Sequence, residues 1–384
     1  MNETQIMTIG EVCSTISDTY RAKADEVTLI NTSDVLEGKV LNHDRVPNKD
    51  LKGQFKKTFK KNDILYSEIR PQNKRFAFVD FDPVDYIAST KLMVLRADTS
   101  KVLPMYLYYY LKSAPVIAEL QMLAETRSGT FPQITFTELS NLTIPVPSIA
   151  EQEAIVATIK CIEDKIECNT AINDNLQQQA AALFANLYDR AETEVGFTEI
   201  IQIFGGGTPK TGESSYWNGS VPFFTPKDVG SPYTLTTEKT ITEEGLARCN
   251  SRLYPVNTVF VTARGTVGKV GLLGVPMAMN QSCYALIGKD THQLLVYFYT
   301  LKAVDRLKHK ASGAVFDAIT TRDFESETIM KLSDDDAKVF LDVAEPIYRA
   351  VLSNSIENLR LAALRDSLLS KLMSGEIDVA NIQL

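Results

Sequence analysis

Ile155-Val-Ala-Thr-Ile159-Lys-Cys-Ile162-Glu-Asp-Lys-Ile166-Glu-Cys-Asn169-Thr-Ala-Ile-Asn173-Asp-Asn-Leu176-Gln-Gln-Gln-Ala180-Ala-Ala-Leu183-Phe-Ala-Asn-Leu187 places an apolar residue or an asparagine at every seam position of a heptad. The unbroken alternation of four- and three-residue steps predicts a long helix whose seam faces a second helix. The same seam returns 185 residues later as Phe340, Ala344, Ile347, Val351, Asn354, Asn358, Leu361, Arg365, Leu368 and Leu372. Both asparagine positions are reproduced, and Arg365 alone breaks the apolar pattern. Ser148-Ile-Ala-Glu151 and Ser333-Asp-Asp-Asp336 have the form of a capping box, and Gly375 suits a C-terminal stop.

The stretches ahead of the two helices also repeat. At an offset of 194, Val27 to Val35 falls on Val221 to Val229, pairing Asp34 with Asp228, and Asp63 to Arg70 falls on Asn257 to Arg264. Ser128-Gly129 and Ile134-Thr135 answer Ser312-Gly313 and Ile319-Thr320. An order kept across four segments is the mark of a duplicated unit. The expected organisation is a first domain over 1–147, a helix over 148–192, a second domain over 193–332, and a helix with a tail over 333–384. The fold class is α+β, with two mixed, strand-rich domains joined by two long antiparallel coiled-coil helices.

With 384 residues and 44% hydrophobic content, the chain can bury two cores of ordinary size. It has no apolar run long enough to span a membrane and no basic-then-apolar start, so a cytoplasmic protein is expected. Five cysteines without a CxxC pair read as reduced structural thiols. The formal charge of −8 argues against a nucleic-acid binder only on average, because charge acts locally. From Lys39 to Arg75, eleven basic residues face four acidic ones, giving +7.

The sequence offers no catalytic set. Gly207-x4-Gly212 is followed by Glu213, a carboxylate where a phosphate-binding loop needs lysine. The turn Phe204-Gly-Gly-Gly207 has the glycines of a methyltransferase cofactor loop, but its companion motif is missing, Asp82-Pro83-Val84-Asp85-Tyr86 being the nearest string. Asp25 with Glu37-Gly38-Lys39 has the residue types of a metal nuclease, but the second repeat has no equivalent. Three scattered histidines supply no triad, and no metal or cofactor is expected on this chain. A tandem repeat with a basic segment and two long helices instead has the form of a spacing device. Antiparallel helices of about 40 residues would set its length at roughly 60 Å, with Asn169, Asn173, Asn354 and Asn358 fixing register.

Several strings now carry a family resemblance: Phe131-Pro-Gln-Ile-Thr, Leu142-Thr-Ile-Pro-Val-Pro-Ser-Ile-Ala-Glu-Gln-Glu-Ala-Ile155, Gly206-Gly-Thr-Pro-Lys210, Pro222-Phe-Phe-Thr-Pro-Lys-Asp228, Arg264-Gly-Thr-Val-Gly268 and Leu364 to Ile377. Together they resemble the specificity subunit of Type I restriction-modification enzymes over essentially the whole chain. The resemblance implies two target-recognition domains, each reading half of a split duplex DNA site, and helices that dock methyltransferase subunits, two of them expected. It also implies a separate restriction motor subunit. S-adenosylmethionine, ATP and Mg2+ would belong to those partners, and this chain would be a non-catalytic reader. A specificity subunit of a differently organised complex, and a coiled-coil adaptor that never touches DNA, are the alternatives.

Phosphate contacts give affinity, whereas specificity needs side chains that reach base edges. Lys52, Lys56, Lys57, Lys60 and Lys61 are the phosphate candidates of the first domain, against the alternative of a solvated basic loop. Arg70, Gln72, Asn73, Lys74 and Arg75 are its base-reading candidates, against the alternative that some satisfy loop backbone. Arg264, Lys269, Lys210 and Lys227 are the candidates of the second domain. The Ser-Gly pairs are expected to make tight turns, and Tyr106, Tyr108, Tyr109 and Tyr110 to pack a core. The stretch Leu364 to Ile377 is expected to present an apolar docking face. Because the basic segment has no equally basic counterpart after Asp228, the two halves are expected to read different sequences.

Overall fold

The structure is a computed structural model, and it describes residues 4–49, 51, 53–126, 132–310 and 318–379. Lys52, Phe131 and the Ser128-Gly129 and Ser312-Gly313 pairs, where tight turns are expected, lie outside the described residues. The two seams form helices Ile149–Tyr188 and Asp334–Ser374, of 40 and 41 residues. Both caps are made as the sequence requires. The Ser148 backbone N–H donates to Glu151 at 2.9 Å, and the Asp336 N–H donates to the Ser333 hydroxyl at 3.1 Å. Gly375 ends the second helix at φ 73°, a conformation that a side chain would penalise. Every seam position of the first helix is buried or half-buried.

The chain folds as two compact units, residues 1–166 with 360–384 and residues 167–359. In the first unit an antiparallel sheet runs in the order Cys13–Ile16, Leu92–Ala97, Ile64–Ser67, Phe76–Phe78. A second sheet runs Val46–Pro47, Glu26–Ile30, Tyr86–Ser89, Phe55–Lys57, with Glu26–Ile30 parallel to Tyr86–Ser89. Strand alternation sends Ile64 and Tyr66 into a core shared with helices Pro104–Leu111 and Ala114–Thr126, and Leu65 into a core with Ile30 and Ala88. Tyr106, Tyr108, Tyr109 and Tyr110 are buried in the first of these cores, as expected.

The tail divides between core and surface. Leu369, Leu372 and Met373 are buried in that same core, and Leu368, Ile377 and Val379 pack against it. Leu364, off the seam, stays exposed. Arg365, the break in the seam, is also accounted for. It lies 3.9 Å from Glu163, which pairs with the largely buried Lys112 and accepts a 2.8 Å hydrogen bond from Tyr109. Burial holds the Lys112 ammonium below the ordinary lysine range against the pull of Glu163.

The second unit repeats the plan. Its main sheet runs Ile201–Gly205, Cys283–Gly288, Val259–Thr262, Val270–Leu273, Tyr233–Thr234, and Trp217–Phe224 lies parallel to Ala278–Met279 in a smaller one. Asp34 and Asp228 do the same work, each accepting an N–H from the residue three before it, at 2.8 and 2.7 Å. Thr135 and Thr320 likewise open matching short helices, their N–H groups held by Glu138 and Asp323. One part of the sequence alignment needs correction. Strand register places Ile64 on Val259, an offset of 195, because both face their partner strand alike and both enter the helix-side core. Arg70 therefore falls on Gly265, and Ile69 on Arg264. A one-residue slip in a strand exchanges its faces, so the difference decides which side chains are compared.

Among the described residues, no helix is long and apolar enough to cross a membrane. The five cysteines are all unpaired, with the Cys13 and Cys283 thiols pushed up to about 12 by burial.

Candidate nucleic-acid interface

In each domain three segments meet at one end of the main sheet. The hairpin loop 68–75 hangs on the turn 89–91 through the Glu68 N–H and the Lys91 carbonyl at 3.0 Å, and the Thr90 N–H donates to Gln54 at 2.7 Å. In the second domain the Ala263 N–H donates to the Ser282 carbonyl at 2.8 Å, and the Met279 N–H to the Ser251 hydroxyl at 2.9 Å. The same frame is thus built twice, from 68–75, 89–91 and 53–61, and from 263–269, 280–282 and 248–256.

The first domain's candidates divide by what they touch. Lys56, Lys60 and Lys61 are exposed, and the turn bearing the last two is pinned by Asp63, which accepts the Lys60 N–H at 2.7 Å and a fork of bonds from Arg96 at 2.7 and 2.8 Å. Lys57 leaves the phosphate set. Its ammonium donates to the carbonyls of Leu92 and Thr90 at 2.8 and 3.1 Å, and burial lowers its pKa. Arg75 is also spent on backbone, donating to Ser33 and Val35 at 3.0 and 3.3 Å. Lys74 pairs with Glu37 at 3.1 Å, an exposed contact of little strength.

Arg70, Gln72 and Asn73 remain exposed at the loop tip, with the Gln72 N–H held by the buried Gln121 side chain at 3.2 Å. Arg70 and Lys74 bracket the tip with left-handed backbone, φ 46° and 51°, a conformation costing a non-glycine residue about 1–2 kcal/mol. The second domain has Gly265 and Gly268 at these places, φ 82° and 75°.

The second domain's candidates converge. Arg264 is exposed beside the Ser282 carbonyl, which accepts its N–H at 3.3 Å. The Thr266 hydroxyl donates to Pro226 at 3.1 Å, bringing Lys227 to the same loop, and exposed Lys269 closes it. The loop bearing Lys210 reaches the turn 280–282 through Thr208, whose hydroxyl donates to the Gln281 side chain. Its glycines serve close packing: a Cβ on Gly206 would lie 2.1 Å from the Asn280 carbonyl, and one on Gly207 2.6 Å from the Asn250 nitrogen. That explains Gly206 and Gly207 without a phosphate.

Sequence reasoning missed Arg248, Asn250, Arg252 and Gln281, all exposed on this edge. The offset of 195 lays 247–256 over the basic stretch 52–61 and would have found the first three. Among the described residues no ion pair engages Lys210, Arg248, Arg252, Arg264 or Lys269.

The four asparagines meet within the second unit. Asn169 donates to Asn358 at 2.9 Å and to Glu357 at 2.7 Å, while Asn354 donates to Asn173 at 2.9 Å. Asn173 in turn reaches Ser355 and the Val351 carbonyl, both at 3.4 Å. The pairing of 169 with 358 and 173 with 354 is that of antiparallel strands of helix.

The profile of the family described as the Type I restriction modification DNA specificity domain matches residues 1–178 and 193–332. The HindI specificity subunit of Haemophilus influenzae is 31% identical over 98% of this chain and all of that protein. The chain belongs to the Type I specificity subunit family. The EcoR124I/EcoR124II specificity subunit of Escherichia coli is 30% identical over 62% of this chain and 59% of its own length. A Type I S subunit from M. genitalium has the same fold, with a TM-score of 0.59 and 15% identity over 97% of each chain. As a specificity subunit the chain is a non-catalytic component for DNA sequence recognition, and the adaptor reading gives way.

Proposed function

We propose that this chain reads a bipartite, asymmetric duplex DNA site, one half with each domain, for a Type I restriction-modification complex in the cytoplasm. The recognition domains are 1–147 and 193–332, with spacer helices over 148–192 and 333–384 as the docking platform for methyltransferase and restriction subunits. S-adenosylmethionine, ATP and Mg2+ are held by those partners. Lys56, Lys60 and Lys61 contact phosphates in the first half-site, and Arg70, Gln72 and Asn73 reach base edges. Arg264, Lys210, Lys227 and Lys269 serve the second. The observation that carries the reading is the duplicated frame with unlike tips, Arg70-Pro-Gln-Asn-Lys74 in one copy and Gly265-Thr-Val-Gly268 in the other. A symmetric site would need like tips, because base identity is read by side chains.

The test is to express the chain with its methyltransferase subunit and map methylated bases across host DNA. The reading predicts one split motif with unlike halves and a methylated adenine in each. A stable complex that leaves DNA unmethylated contradicts it.

A further inference from the structure

The second domain's hairpin tip carries Gly265, Thr266, Val267 and Gly268, short side chains that cannot reach as Arg70, Gln72 and Asn73 do. Base reading there must come from another part of the same edge. The turn 280–282 is the point on which that edge converges. Its Ser282 carbonyl receives the Ala263 and Arg264 N–H groups, Gly206 packs on its Asn280 carbonyl, and Thr208 donates to its Gln281. Asn280 is used internally, its side chain accepting the Ser282 N–H at 3.0 Å. Gln281 is the exposed residue between them. The Thr208 hydroxyl donates to the Gln281 amide oxygen, which leaves the amide N–H2 with two donors that no described residue engages, and the Arg264 N–H on the adjoining Ser282 carbonyl brings residue 264 to the same turn.

Resting on the reading above, we propose that Gln281 is a specificity-determining residue of the second domain, donating to an acceptor on a major-groove base edge next to the base met by Arg264. The first domain has Thr90 in the equivalent turn, with its carbonyl accepting from Lys57 and the next residue, Lys91, paired with Glu68 at 3.3 Å. The two domains therefore place their reading side chains differently on one frame. Arg70, Gln72 and Asn73 sit at the hairpin tip, whereas Gln281 sits on the turn and Arg264 at the start of the hairpin loop that is bonded to it.

The experiment maps methylated motifs for complexes carrying wild-type chain, Gln281→Ala or Gln281→Glu. Because the side chain is exposed, both variants should assemble with unchanged thermal stability. Gln281→Ala should relax one base position in one half-site by about tenfold or more and leave the other half unchanged. Gln281→Glu, which replaces donors by a carboxylate, should reduce methylation of the native motif. Motifs identical to wild type in both variants overturn the assignment while leaving the two-reader function intact. A wild-type complex with no motif overturns both.

Discussion

Two places show how far the duplicated domains have diverged on one scaffold. At the hairpin tip the first domain holds Arg70 and Lys74 in left-handed backbone, where the second places Gly265 and Gly268. Under the helices the first domain gathers Tyr109, Lys112, Glu163 and Arg365 into a charged cluster. At the offset of 185 the second has Tyr348 and Ala180 in place of Glu163 and Arg365, with the Phe298 and Tyr348 rings 5.8 Å apart. The scaffold tolerates either solution because sheet order and helix caps, which both copies keep, are set by apolar alternation and by capping side chains that lie outside the cluster. The tip is different in kind. Strain retained in one copy and relieved in the other marks a position where the side chain matters more than the backbone, as expected of a reading surface.

The most severe way to break the comparison is to move one domain's solution into the other. Tyr348→Glu puts the first domain's carboxylate into a nearly closed aromatic cluster and should cost about 4 kcal/mol, read as the denaturation midpoint of the full chain. Next, Glu163→Leu leaves Lys112 and Arg365 without their shared partner and should cost about 3 kcal/mol. Adding Lys112→Met and Arg365→Ala, which copies the apolar second domain, should restore most of it. A triple variant as unstable as the single one would show that the cluster is not an exchangeable packing solution.

A smaller effect is expected in the helix seam. Asn173→Leu leaves the Asn354 amide unanswered and should cost about 1–3 kcal/mol, because an unmade buried hydrogen bond is dearer than a made one is favourable. The smallest change belongs to the tip. Arg70→Gly should leave stability unchanged or raise it by up to about 1 kcal/mol, since it relieves left-handed strain while loosening the unfolded chain. The same variant should lose discrimination in one half-site, and a loss of stability instead would mark Arg70 as structural.

Much of this was legible in the residues. Heptad spacing, capping serines and the Asp34 and Asp228 turns are local patterns, and local patterns survive in sequence. The cations were not separable in that way. Lys57 and Lys56 look alike in the chain, but Lys57 meets carbonyls at Thr90 and Leu92, more than thirty residues away. Arg75 is likewise claimed by Ser33 and Val35. The tip alignment slipped by one residue because Arg70 and Arg264 are an attractive match, whereas the strand register that corrects it exists only in three dimensions. Gln281 carried no signal at all, since its turn becomes central only when three distant loops meet on it.

The central claim is that each domain reads its own half of the site. The direct measurement compares methylated motifs from complexes carrying Arg70→Ala and Arg264→Ala. The account predicts that each substitution relaxes a different half and leaves the other half and the spacer unchanged. Both substitutions altering the same half, or each altering both halves equally, would contradict it.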